Sequence, residues 1–140
     1  MSNWKLLLIL VPIVFVIDML WLGVVMKSFY AREIGELMRR NGEFLTPRWS
    51  AAFLVYLLIP AGIVLFVRPL LGESSTVWQA FGWGALFGLI VYGVYDLTNL
   101  AVLEKWTLLV TLVDMVWGGV LCGTTTVIMQ GIAFWWNSAR

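Results

Sequence analysis

Long runs of apolar residues, interrupted at only three places, set the pattern of the chain. Apolar positions dominate from about Trp4 to Val25, Ser50 to Val67, Val77 to Leu103 and Trp106 to Ile132. Each run is near the length of about 20 residues that a helix needs to cross a bilayer. The interruptions are a charged segment from Lys27 to Arg48, a Pro- and Gly-punctuated turn from Arg68 through Glu73 to Ser75, and the two-residue turn Glu104-Lys105. The pattern predicts one all-α integral membrane domain over residues 1–140, with four spans in an up-and-down bundle. Within the first loop, Phe29, Ile34, Leu37 and Met38 alternate with Arg32, Glu33, Glu36, Arg39 and Arg40, at spacings that suit an amphipathic helix lying on the membrane. A solvated charged loop is the alternative.

Composition strengthens the membrane reading: 61% of residues are hydrophobic and 12% charged, against about 25% charged in soluble domains. The apolar run from Leu6 exceeds a signal-peptide core, carries an acid and lacks a small-residue cleavage site, so the first span is expected to stay. The single cysteine, Cys122, allows no internal disulfide and no thiolate metal cluster. Without histidine, His-ligated haem or zinc and Ser-His or Cys-His nucleophiles are excluded. No Gly-rich phosphate loop is present, and a net charge of +1 argues against nucleic acid as a partner. No cofactor and no metal is expected.

Positive charge sets an expected orientation. Lys27, Arg32, Arg39, Arg40, Arg48 and Lys105 fall on one side, and Lys5, Arg68 and Arg140 on the other. The positive-inside rule then places the first loop in the cytoplasm and both termini outside. Anionic lipid headgroups would attract that loop. Trp135 and Trp136 beside Arg140 read as an interfacial aromatic belt.

The candidate chemistry lies in the aspartates. The chain has three, Asp18, Asp96 and Asp114, and each sits inside a span. Asp18 lies nine residues before Lys27, Asp96 eight before Glu104 and Asp114 eight after Trp106. At 1.5 Å per residue, all three carboxyls are expected roughly 12–14 Å from the same membrane surface. The word Asp-Met-x-Trp occurs at Asp18 and again at Asp114 on spans of opposite direction, the form of a weak inverted repeat, which in transporters places sites at the repeat interface. Gly84, Gly88, Tyr92 and Asp96 share one stripe with Asn99 close by, and Gly119 and Gly123 offer a matching small-residue surface for helix packing. The three carboxyls are expected to converge between the first, third and fourth spans, walled by Trp21, Trp117 and Tyr92. The second span, uncharged from Ser50 to Val67, is left the role of scaffold.

A central Asp costs about 2.5–3.5 kcal/mol to insert, so three cost roughly 8–10 kcal/mol. No intramembrane Lys or Arg serves as counter-ion. A cluster of this kind binds protons, a cation or hydrogen-bond donors. The bland alternative is interhelical glue, with the acids bonded to Asn99, Thr98, Thr111 or indole N–H groups, yet such bonds return only about 0.6–2 kcal/mol each.

The words Asp-Met-Leu-Trp, Tyr-Asp-Leu-Thr-Asn, Trp-Thr-Leu after Glu104-Lys105, and Asp-Met-Val-Trp-Gly give the chain a resemblance, over essentially its whole length, to small bacterial membrane proteins grouped as domain of unknown function 2177. The resemblance implies a four-helix protein of a bacterial inner membrane and brings no activity with it. Three function classes stay open: proton- or cation-coupled handling of a small substrate, an accessory subunit of a larger membrane complex, and a metal-dependent lipid-modifying enzyme. Expected partners are membrane lipid and either further copies of the chain or a larger complex.

Overall fold

The computed structural model describes residues 1–42, 44–72 and 74–139. Glu73 of the expected turn and Arg140, counted above among the terminal charges and beside the aromatic belt, lie outside the described residues. Helix α1 runs Asn3–Leu20 and opens into a wide π-type turn at Trp21–Val25. The short helix α2, Lys27–Ile34, follows, with one tight turn at Gly35–Leu37. Strands β1 (Arg40–Asn41) and β2 (Phe44–Leu45) pair antiparallel in a small hairpin. Helices α3 (Trp49–Gly62), α4 (Val77–Val102) and α5 (Leu108–Ser138) complete the fold. α3 continues through a second π-type turn, Ile63–Val67, one turn after Pro60, whose missing N–H leaves the Tyr56 carbonyl without its helical partner.

Four stretches are long and apolar enough to cross a membrane: Asn3–Val25, Trp49–Leu70, Val77–Val102 and Leu108–Ser138. The protein is thus an all-α, multi-pass membrane fold. The last span continues past the expected end at Ile132 to Ser138. Caps fix where the last two helices start. Thr76 and Gln79 form a reciprocal capping box at α4, and the Thr107 hydroxyl accepts the Val110 N–H at α5.

Packing follows stripes at i+4 spacing. On α1, Leu6, Leu10, Val14 and Asp18 are buried in succession. The first three meet Tyr56, Ile59 and Ile63 of the second span and Leu121, Cys122 and Met129 of α5 in the main core. On α4, Ala80, Gly84, Gly88 and Asp96 form the buried stripe and lie against α5, the closest helix pair of the fold. A Cβ at Gly88 would run into the Gly118 carbonyl, and one at Gly84 into Thr126 and the Cys122 carbonyl. Gly119 faces the Ala85 carbonyl and Leu89, and Gly123 takes the ring of Phe81. With no hydrophobic force between helices in lipid, this backbone-close contact supplies the attraction. α2 covers the end where the stripes reach their aspartates, its Tyr30 and Ile34 packed with Trp106 and Val110.

Candidate functional site

Each inward stripe carries one aspartate near the α2 end, so helical periodicity alone delivers Asp18, Asp96 and Asp114 to one part of the bundle. Their surroundings differ sharply. Asp18, only 7% exposed, accepts the Tyr56 hydroxyl at 2.7 Å on one oxygen and the Trp117 indole N–H at 2.8 Å on the other. Tyr56 lies on α3, which corrects the scaffold role expected for the second span: that span supplies a donor to the cluster.

Asp114 is half-buried and accepts the hydroxyl of Tyr30, which arrives from α2. The same hydroxyl accepts the Trp21 indole N–H at 3.1 Å. Burial, and then the Asp114 hydrogen bond, push the Tyr30 hydroxyl well above the usual phenol range, so it remains a donor throughout the physiological range. The indoles of Trp21 and Trp117 stack with centroids 4.2 Å apart and planes 3° from parallel. A continuous line therefore joins two acids: Asp18, Trp117, Trp21, Tyr30, Asp114.

Asp96 is the exception. Its side chain has no exposed surface, and neither carboxyl oxygen receives a hydrogen bond from a donor. Its neighbour is the Asp114 carboxyl, which acts on it electrostatically. Asn99, expected beside this acid, does not bond to it. Thr98 and Thr111 turn to backbone carbonyls, of Val94 at 2.6 Å and Thr107 at 3.3 Å, and Thr111 also accepts the Trp106 indole N–H at 3.1 Å. Tyr92 lies flat on the bare backbone of Gly118, within electrostatic reach of Asp18 and Asp114.

Sequence reasoning did not reach Tyr30 or Tyr56. For Tyr56 a signal existed: between Ser50 and Val67 it is the sole polar side chain after Ser50 itself. Among the described residues, no three of His, Cys, Asp and Glu are grouped as metal ligands.

The family described as predicted membrane protein (DUF2177) matches residues 3–130, and the chain belongs to it. No curated protein and no solved structure matches the chain.

Proposed function

We propose that Asp96 and Asp114 are the working pair of a small membrane protein that exchanges a proton or small cation for a cationic or polar substrate. Asp96 carries this reading: a fully buried carboxyl with no donor on either oxygen, set against a second carboxyl. Buried polar groups without partners are rare and costly, and in membrane spans they mark ion and proton pathways. A proton held between the two acids leaves when a cation takes its place and returns when the cation departs. Asp18, already saturated by Tyr56 and Trp117, holds the aromatic pair in position. The outer faces of the Trp21–Trp117 stack give an organic cation a π surface.

The test is proton movement in liposomes on addition of sodium or of an organic cation such as tetraphenylphosphonium. Asp96→Asn keeps size and hydrogen-bonding capacity while removing titration. Loss of coupled movement at unchanged stability supports the reading, and a fully active, equally stable variant overturns it. The same proposal takes the membrane as a bacterial inner membrane with both termini outside. Reporter fusions near Arg40 and at Arg140 check that orientation.

A second reading, as accessory subunit of a larger membrane complex, draws support from the outward apolar side chains of α4, where Trp78 is 82% exposed near its start and Ile90, Val94 and Leu97 are exposed further along. Purification with large partner subunits would favour it.

A further inference from the structure

At the end of the bundle opposite the aspartates, a cleft of about 880 Å³ opens between the close of the second span, the turn before α4 and the last turns of α5. That volume falls within the roughly 300–1,000 Å³ of small-molecule sites. Its polar lining is rich in donors. The Arg68 guanidinium uses two of its five N–H groups, one on Asn3 Oδ1 and one on the Met1 carbonyl, and both acceptors are neutral. Ser75 Oγ accepts the Gly72 N–H at 2.9 Å, which leaves its own O–H to donate. Gln130 spends one amide N–H on the Ser75 carbonyl at 2.6 Å and keeps the other. Among the described residues, no carboxylate lines the cleft and none pairs with Arg68. Spare donors around an arginine whose acceptors among the described residues are both neutral fit an anion.

Apart from Asn137 and Ser138 at its edge in sequence, the rest of the lining is apolar, with Leu71, Val127 and Phe134 among it. Arg68 stands at the close of a span, at the level where charge leaves the hydrocarbon. On this same end Lys5 sits 5.4 Å from the ring centroids of both Trp4 and Trp136, the arrangement of a membrane–water boundary. A soluble anion would use the polar part alone, whereas an amphiphile would use both. We infer that this cleft binds an anionic phospholipid, its phosphate against Arg68, Ser75 and Gln130 and an acyl chain along Val127 and Phe134.

Native mass spectrometry of the full chain, purified in detergent and stripped of lipid, tests this with added phosphatidylglycerol or phosphatidylcholine. One phosphatidylglycerol should be retained about fivefold more than phosphatidylcholine, as about 1 kcal/mol per interfacial Arg implies. Arg68→Gln should bring phosphatidylglycerol down to the phosphatidylcholine level, and Arg68→Lys should recover part of the difference. Because Arg68 also ties down the start of α1, Gln130→Leu provides a second variant that leaves those bonds intact. It should lower phosphatidylglycerol retention with unchanged helical circular dichroism. Equal retention of the two lipids by the unmodified protein, undiminished retention in both variants, or displacement of the lipid by excess inorganic phosphate would each overturn the assignment.

Discussion

Asp18 and Asp96 are both buried on membrane-spanning helices, at the same end of the bundle, and they differ in their donors. Asp18 sits where α1 meets α3 and α5, a junction built of large side chains, and two of these, Tyr56 and Trp117, reach its oxygens. Asp96 sits two turns beyond Gly88 on the buried stripe of α4, no donor reaches either of its oxygens, and its neighbour is another acid. The contrast is between a carboxyl that holds two donors and one that holds none, and the second is the one proposed to take a proton or a cation.

The largest expected effect comes from opening the glycine seam between α4 and α5. In Gly88→Ala the added Cβ meets the Gly118 carbonyl, which is backbone and cannot rotate away. The variant should lose about 3 kcal/mol, the upper part of the overpacking range, in a detergent-mixture unfolding titration. Asp96 should separate from Asp114, and proton coupling should fail with it. Gly131→Ala, where a Cβ meets nothing within 4 Å, should be neutral or slightly stabilising. Equal stability of the two variants would mean that the seam does not hold Asp96 in place.

Truncating each acid tests the contrast directly. Asp18→Ala strands the Tyr56 hydroxyl and the Trp117 N–H and should cost about 1–3 kcal/mol. Asp96→Ala strands no donor and should cost less than about 1 kcal/mol, while removing activity. Equal costs in the same unfolding titration would break the distinction between a satisfied and an unsatisfied carboxyl.

These predictions draw on unequal shares of sequence and structure. The four spans were legible because bilayer thickness fixes helix length and the interruptions carry charge, proline or glycine. The aspartates stood out because each costs several kcal/mol to insert, and the i+4 stripe of Gly84, Gly88, Tyr92 and Asp96 indicated a protein-facing surface. The donors were not legible. Tyr30 lies in the loop, on the short helix that follows the bend at Met26, and only the folded chain brings it to Asp114. Tyr56 belongs to a span with no charge to draw attention. Asn99 shows the opposite failure. Its i+3 spacing places it near Asp96 along the helix, but spacing does not fix side-chain direction, and no bond forms.

Tyr30→Phe has a smaller effect and places α2 within the comparison. It removes the hydroxyl that donates to Asp114 and accepts from Trp21, at a cost of about 0.5–1.5 kcal/mol. The pH dependence has a definite sign. The Tyr30 hydroxyl is raised in the folded protein from an ordinary value near 10, so between that value and the folded one the native state binds the extra proton. Its contribution is complete below about pH 10 and declines as pH rises further. Stability profiles of Tyr30→Phe and the unmodified protein should run parallel below that pH and converge above it. Profiles that stay parallel through alkaline pH would show that Tyr30 ionises in the fold as freely as in the unfolded chain.

The smallest effect belongs to the exposed ion pair between Lys105 and Glu36, which links the turn before α5 to the segment after α2. Both side chains are well exposed, 65% and 74%, so water and salt screen their attraction. The hydrogen bond from Lys105, and then its charge, hold the Glu36 carboxyl below the usual glutamate range. Whatever the pair contributes is therefore present above the ordinary glutamate value and lost as pH falls through the lowered one. Lys105→Gln should leave the unfolding midpoint unchanged at physiological salt and leave proton coupling intact, because α2 is held by buried Tyr30 and Ile34 against Trp106 and Val110. A marked loss of coupling in Lys105→Gln, restored by Lys105→Arg, would shift the anchor of α2 from its buried face to its surface charges. Tyr30 would then be placed over Asp114 by the ion pair rather than by packing.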